Sequence, residues 1–303
     1  VNAPDRTAWL QARRSGVGGS DIAAILGLSK WRTPLEVYQS KRGEVPDQPD
    51  NDAMRWGRYL EPAVRQAYAD ATGYEVRVPT DMLRHPRHEF AVANIDGFVE
   101  DRTGRIFEAK TARSGDGWGE PGSDQIPQSY LLQVQWYMEV TALPVADVAT
   151  LIGGSDFRIY TVEADRELQQ MLLDAAAEFW ARVLRGDPPE PVTVADAVAR
   201  WGRASRADLV MADEDALLAI KTMHAAREAI KSAEAIEESA RAVVLRALGE
   251  ADTLVDPAGK TLCTWKASAG AKRFDAAAFK AAQPDLYEQF VKQGEPSRRF
   301  LLK

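Results

Sequence analysis

The apolar residues change period twice along this chain, and that change confines it to a mixed α/β fold. Up to Gly73 they recur at helical spacing, first in Ile22-Ala23-Ala24-Ile25-Leu26 ahead of Gly27, then at Leu60, Val64, Ala67, Tyr68 and Ala71. From Tyr74 the pattern turns to short strand-like runs. These are Tyr74–Val78, Met82–Arg84, and then Phe90–Glu100 and Arg105–Lys110 on either side of the turn-forming Asp101-Arg102-Thr103-Gly104. Helical spacing returns over Tyr130–Val140, strands over Val148–Gly153 and Phe157–Val162, and a last helix over Glu167–Arg185, closed by Gly186-Asp187-Pro188-Pro189. Helix, meander, helix, strand pair, helix predicts one α/β (α+β) unit over residues 1–190, a central mixed β-sheet flanked by helices. Near its start, Trp9–Arg14 predicts a short amphipathic helix. Ser20 stands where an N-cap would, Thr33-Pro34 opens a helix through Tyr38, and the acid- and proline-rich Glu44–Asp52 predicts a solvated loop.

Residues 191–211 are expected to be a linker, and residues 212–303 are different in kind. Ala212–Ala247 is rich in Ala, Glu, Lys and Arg, with Leu217, Ile220, Met223, Ile230, Ile236 and Val243 on a broad stripe, so it forms one long helix or a helical hairpin. Thr253–Val255 and Leu262–Lys266 flank Asp256-Pro257-Ala258-Gly259, a β-hairpin pattern. Phe274–Val291 predicts a short helical patch, and Arg299–Leu302 a final strand. The expected appendage is therefore a C-terminal helical arm with a small β-hairpin/helix unit.

Charge distribution matters more than the net charge of −7. Residues 206–256 hold 6 basic and 11 acidic side chains, whereas 257–303 hold 9 and 4. That basic end suits a DNA-tracking patch, a partner site or a solvated face equally. A single cysteine, Cys263, excludes an intrachain disulfide framework and any all-cysteine zinc or iron–sulfur site. The three histidines His85, His88 and His224 leave little for a histidine-rich metal centre. His85 and His88 flank Pro86 in a turn, and Cys263 is expected as a small strand residue. No apolar run approaches the roughly 20 residues of a membrane span, and Val1–Trp9 lacks a secretory pattern. The expectation is a soluble, cytoplasmic protein with no membrane partner.

One constellation dominates the chemistry. Asp96 lies in Asn94-Ile95-Asp96-Gly97, near the middle of the first meander strand, and Glu108 and Lys110 lie at the end of the next. A strand period of two puts Glu108 and Lys110 on one face and turns Phe107 and Ala109 toward a core. The tight turn folds Asp96 back roughly opposite Glu108. Two carboxylates and a backbone carbonyl suit Mg²⁺ or Mn²⁺. A divalent ion there would activate water and offset a phosphodiester's developing charge. Lys110 would orient that water or, with its pKa lowered, deprotonate it. A surface salt-bridge ladder across two strands accounts for the same three residues without any chemistry.

Asp…Glu-x-Lys on a hairpin resembles the PD-(D/E)xK nuclease superfamily, and three further stretches narrow the resemblance. Gly57-Arg58-Tyr59-Leu60-Glu61-Pro62 places an acid on the upstream helix. Gln133-Val134-Gln135-Trp136-Tyr137 fits the Q-x-x-x-Y helix of the branch containing lambda exonuclease and the RecB nuclease domains. Arg13-Arg14-Ser15-Gly16-Val17-Gly18-Gly19-Ser20-Asp21-Ile22 looks like the opening of the YqaJ-type viral recombinases. The resemblance covers roughly residues 8–185 and implies a restriction-endonuclease-like core. By position it makes Asp96 and Glu108 ligands of one or two Mg²⁺ or Mn²⁺ ions, with the Ala109 carbonyl completing the site and Glu61 as an added ligand. It makes Lys110 the catalytic lysine, and has Gln133 and Tyr137 buttress the site or contact the nucleic-acid backbone. Glu61 is otherwise an exposed first-turn helix acid favoured by the dipole, and Gln133 and Tyr137 ordinary helix residues.

The Gly18-Gly19-Ser20 turn offers N–H groups at a helix start, a hydroxyl and nearby arginines, which suit a phosphate. Exonucleases resembling lambda exonuclease hold a 5′-terminal phosphate with such groups. That implies Ser20 and Arg14, or Arg13 since spacing does not separate the two, with Arg113 as a weaker phosphate candidate; otherwise Ser20 is merely an N-cap. Trp9, Trp31, Trp56, Trp136 and Trp180 suit base stacking but fit a core better. The implied activity is a metal-dependent exonuclease degrading one strand of linear duplex DNA, 5′→3′ from a 5′-phosphorylated end and leaving a 3′ overhang. The implied partners are double-stranded DNA with a free end, a phage-type single-strand annealing protein, and further copies of the chain in a trimeric ring. The implied setting is a phage or prophage gene product in a bacterial host. A PD-(D/E)xK endonuclease and a non-cleaving DNA- or recombinase-binding module are the alternatives.

Overall fold

A computed structural model describes residues 11–46, 51–101, 103–203, 208–294 and 296–303. Trp9 and Arg102 lie outside the described residues, as do parts of the expected 44–52 loop and 191–211 linker. Contacts divide the chain into two units, Val1–Arg200 and Trp201–Lys303.

The first unit is built on a five-stranded mixed sheet, as the change of period predicts. Ahead of it lie the helices α1 (Gly19–Ile25), α2 (Pro34–Arg42) and α3 (Asp52–Thr72). Four short strands follow, β1 (Val76–Arg77), β2 (Leu83–Arg84), β3 (Val92–Ala93) and β4 (Gly97–Val99). Then come β5 (Arg105–Ala112), α4 (Gln128–Thr141), β6 (Val145–Ile152), β7 (Asp156–Glu163), α5 (Arg166–Arg185) and α6 (Val194–Trp201). The sheet order is β1-β4-β5-β6-β7, with β5 and β6 parallel and the other neighbours antiparallel. Helix α4 is the crossover that a parallel pair requires.

The two faces of the sheet have separate cores. Ile106, Val148 and Tyr160 pack with Trp136 and Met138 of α4, Leu172 of α5 and Ile22 of α1. On the other face Phe107, Val99 and Ala149 pack with Val64 and Tyr68 of α3. Beneath that second core a buried carboxylate is fully engaged. Asp147 accepts from the Tyr68 hydroxyl at 2.6 Å, from Arg105 at 2.9 Å and from Thr161 at 2.8 Å. It ties α3, β5, β6 and β7 together where an unpaired charge would cost several kcal/mol.

Several elements differ from the sequence expectation for identifiable reasons. Phe90–Glu100 is not one strand. Val92–Ala93 pairs with β2, residues 94–96 cross over, and only Gly97–Val99 joins the main sheet, so Asp96 sits just ahead of a strand. Gly97 permits this, since a Cβ there would stand 2.2 Å from Val76 Cγ1 of the adjoining strand. Helix α3 starts about two turns earlier than the apolar spacing indicates, capped by Asn51, whose side chain accepts from the Met54 N–H at 2.9 Å. Its first two turns are exposed and so leave no apolar period to read. Ser20 is not the N-cap of α1. Gly18 is, and Asp21 Oδ2 accepts its N–H at 3.1 Å.

The second unit holds α7 (Glu214–Leu248), β8 (Thr253–Val255), β9 (Thr261–Thr264), α8 (Ala276–Ala282) and α9 (Pro284–Phe290). Helix α7 is a single helix and not a helical hairpin. Strands β8 and β9 form the expected antiparallel hairpin, with Cys263 opposite Leu254. The expected 274–291 patch is split at Gln283-Pro284, because proline cannot continue α8 but can start α9. Residues 299–302 form no strand. Among the described residues no helix is long and apolar enough to cross a membrane.

Candidate active site

The strand period does place Glu108 and Lys110 side by side. Lys110 Nζ donates to Glu108 Oε1 at 2.5 Å. Both are nearly covered, with side-chain exposures of 14% for Lys110 and 3% for Glu108, which a surface ladder would not show. Asp96 comes to the same strand from the β3–β4 crossover, and its Oδ2 accepts the Ala109 N–H at 2.9 Å. Alternation along β5 sends Ala109 to the opposite face, against the Phe107 core.

Helix α4 supplies the wall. Gln133 Nε2 donates to Glu108 Oε1 at 2.8 Å and to the Tyr137 hydroxyl at 2.9 Å, while Gln133 Oε1 accepts from Lys110 at 3.2 Å. One glutamine thus reads the carboxylate, the ammonium and the phenol together, with Tyr137 one turn on. Two contributors escape the sequence reading. Lys110 Nζ lies 4.9 Å from the centre of the Tyr130 ring, a cation–π contact from the same helix. Thr150 pairs in register with Lys110 on β6, and its buried hydroxyl has no partner among the described residues. The i, i+3 spacing of Tyr130 and Gln133 was a readable clue to the first; nothing in the sequence marks the second.

Charge is frustrated here. Burial, and then the Asp96 and Glu61 carboxylates, push Glu108 up to about 8, with Lys110 offsetting only part of this. Burial raises Asp96, against the pull of Lys110 and the Ala109 N–H. Burial and Asp96 raise Glu61, against Arg65. Burial pulls Lys110 down, but Glu108 and Asp96 outweigh it and hold the side chain as an ammonium. Burial and then Glu108 push the Tyr137 phenol well up.

Glu61 is not a first-turn acid, since α3 starts at Asp52; its Oε1 takes Arg65 Nη2 at 2.6 Å. Among the described residues no three His, Cys, Asp or Glu side chains stand ready as a metal-binding group. Glu61 is paired with Arg65, and one oxygen of Glu108 is committed to Lys110 and Gln133. The donor set nevertheless fits a hard divalent cation. It is all oxygen, Asp96 raises the pKa of Glu61 and of Glu108, Glu61 raises that of Glu108 further, and Glu108 Oε2 is buried without a partner among the described residues.

Beside the cluster stands the N-terminal turn. Gly19 opens α1 against α4, where a Cβ would stand 3.1 Å from Gln133 Cγ. Arg13 Nη2 donates to Ser20 Oγ at 2.8 Å, so the structure groups Arg13, and not Arg14, with the serine. Arg14 lies near Gly43 instead. Asp21, in the same turn, is buried and bridged to Lys41 at 2.6 Å and Arg32 at 3.1 Å. Burial pushes its carboxyl up, yet Lys41, Arg13 and Arg32 overcome this and hold it at about 2. Arg113 is exposed just past the end of β5. Trp136 is fully buried and donates to the Val92 carbonyl, and Trp180 packs on the core, whereas Trp31 and Trp56 are exposed against expectation. His85 is a turn residue, its Nδ1 accepting from Arg87 N and His88 N.

Residues 8–144 match the YqaJ-like viral recombinase domain. The match spans a little under half of the chain. It contains Arg13, Ser20, Glu61, Asp96, Glu108, Lys110, Gln133 and Tyr137, while β6, β7 and α5 of the same sheet and core lie beyond the match. The uncharacterized protein YqaJ of Bacillus subtilis (strain 168) is 39% identical to this chain over 188 residues, 61% of this chain and 58% of that protein. The chain therefore spans less than two thirds of the length of that relative. Among solved structures, the alkaline exonuclease LHK-Exo of Laribacter hongkongensis is 22% identical, with 60% of this chain and 94% of that chain covered and a TM-score of 0.49. A phage related exonuclease of Haemophilus somnus 129PT is 14% identical, with 56% and 96% covered and a TM-score of 0.40.

Proposed function

We propose that the YqaJ-like domain is the core of a metal-dependent DNA exonuclease that degrades one strand of linear duplex DNA 5′→3′ from a 5′-phosphorylated end. The observation that carries this reading is the buried Asp96–Glu108–Lys110 cluster, held by Gln133 and standing beside the Arg13–Ser20 pair. Asp96, Glu108, the Ala109 carbonyl and Glu61 would hold Mg²⁺ or Mn²⁺. Once bound, such an ion supplies a Lewis acid that activates water and offsets charge developing on the phosphodiester. Lys110, already an ammonium, orients the attacking water and neutralises charge on the phosphate. Gln133 holds Lys110 and Glu108 at a fixed spacing and aims the Tyr137 hydroxyl. Arg13 and Ser20 take the terminal phosphate, with Arg14 and Arg113 as outlying cations, so that the end sets which bond meets the carboxylates. The 3′ overhang that remains is the substrate of a phage-type single-strand annealing protein. A trimeric ring would keep the enzyme on its track in a bacterial host.

The test is Mg²⁺-dependent digestion of an end-labelled linear duplex, with and without a 5′ phosphate, beside a closed circle and a Glu108→Ala protein. Mononucleotides from the 5′-phosphorylated strand alone, absent with the variant and on circles, are expected. Cutting of circles would make the chain an endonuclease. Metal-independent DNA binding without cutting would make it a binding module.

A further inference from the structure

Helix α7 has almost nothing to pack against in the second unit. It spans Glu214–Leu248, 35 residues, and Leu248 alone among them is buried. A helix gains most of its stability from burying an apolar face, and this one is about 50 Å long with that face uncovered. Ala content and ion pairs such as Glu237–Arg241 support it locally. They do not explain its apolar pattern, which repeats by sevens.

Alanine recurs at 219, 226, 233, 240 and 247, an unbroken heptad series. The positions three residues before each are Ala216, Met223, Ile230, Glu237 and Val244. These two series are the d and a positions of a coiled-coil seam sustained over more than four heptads, longer than the three or four that mark such a coil. Exposure along the seam is high, with Ile230 58% and Val244 36% accessible.

We propose that α7 pairs with α7 of a second copy of this chain, antiparallel. A parallel pair would set each Glu237 against its own counterpart in the seam, and would stack all large residues in some layers and all alanines in others. An antiparallel pair aligned nearly end to end removes both faults. Ile230 then faces Ala233 of the second copy, Met223 faces Ala240, Val244 faces Ala219, and Glu237 faces Ala226. Each of these four layers joins one larger side chain to one alanine, and the end layer sets Ala216 against Ala247, which lets the helices approach closely. The flanking e positions complete the match, because Arg227 falls opposite Glu234 of the second copy, twice by symmetry. Opposite charges at both places fix the direction of pairing. The proposal is independent of whether the chain cuts DNA.

The test uses the full chain and sedimentation velocity over a range of concentrations. Reversible doubling of the particle mass is expected, from monomer to dimer or from one ring to two, and a ring that never doubles would overturn the proposal as a monomer would. Arg227→Glu sets like charges opposite one another at both sites and should raise the dimer dissociation constant by about tenfold or more. Arg227→Glu combined with Glu234→Arg exchanges the pair and should return it to within about threefold of the original. Direction is read separately in a Cys263→Ser background. Ala219→Cys mixed with Val244→Cys should form a disulfide between copies, and Ala219→Cys alone should not. A monomer at all concentrations would overturn the proposal. So would a charge exchange that fails to restore pairing, or self-linking of Ala219→Cys. Circular dichroism on each variant separates lost pairing from lost folding.

Discussion

Gly19 and Tyr137 are in such close contact that a Cβ on the glycine would stand 2.6 Å from Tyr137 Cε1. No real Cβ tolerates that distance. The glycine lets α1, with Arg13–Ser20 at its start, press directly on the helix face that carries Gln133 and Tyr137. The Gly18-Gly19-Ser20 turn and the carboxylate cluster are therefore spaced by a missing side chain.

Gly19→Ala should accordingly destabilise the fold by about 1–3 kcal/mol, the usual range for overpacking. Gly57→Ala is the control. Gly57 lies inside α3 with nothing within 4 Å of the added carbon, so helix propensity alone should stabilise the protein by up to about 1 kcal/mol. Urea denaturation of the two variants should give opposite signs. Equal signs would mean that the α1–α4 contact is looser than described.

The stability of the metal-free protein should depend on pH in a way set by Glu108. Its carboxyl titrates near 8 when folded and near 4.5 ordinarily, so between those values the folded state holds more proton than the unfolded state. Stability must then fall as pH rises across that window. Asp21 acts with the opposite sign. Held at about 2, it contributes stability that is fully present above its ordinary 3.8 and lost as pH falls toward 2. Thermal melts in chelator should show both flanks, and Glu108→Gln should flatten the upper one. A profile rising steadily from pH 5 to 8 would contradict the burial of Glu108.

Removing Gln133 tests whether one amide coordinates the cluster. Gln133→Ala leaves Glu108, Lys110 and Tyr137 in place but takes away the group that touches all three. If the chain is a nuclease, kcat should fall about 10–100-fold, the scale for losing an outer-shell partner, with little change in thermal stability. Single-turnover kinetics on a linear duplex reads this directly. An unchanged kcat would make Gln133 a packing residue.

Thr150 offers a stability test free of catalysis. Its buried hydroxyl has no partner among the described residues, and Val148, two residues back on the same strand, is fully buried in the core. Thr150→Val keeps the shape and deletes the unmet donor, so it should raise stability by about 1 kcal/mol. Loss of stability by a similar amount would show that the hydroxyl is satisfied in solution.

What the sequence made legible is what short-range rules govern. Alternation along one strand was enough to put Glu108 and Lys110 on a shared face, and helical spacing was enough to put Gln133 beside Tyr137. The failures are long-range. The break ahead of Asp96 depends on Val76, some twenty residues away, passing over Gly97. Ser20 lost the cap to Gly18, whose N–H is taken by Asp21, a residue fixed by Lys41 and Arg32 from a different helix and loop. The choice of Arg13 over Arg14 turns on which of two adjacent side chains faces α1, and spacing cannot carry that. The start of α3 was hidden because an exposed helix has no apolar face to print on the sequence.

The crowding of Glu61, Asp96 and Glu108 also bears on how chains of this kind drift. Asp96 raises the cost of ionising Glu61 and Glu108 in the folded state, a strain that selection for stability alone would relieve. A descendant needed only as a scaffold would shed these acids early, because folding alone gives no reason to keep them. The turn at Gly18-Gly19 and the pinned Asp147, which folding does require, would outlast them as the fossil of the site.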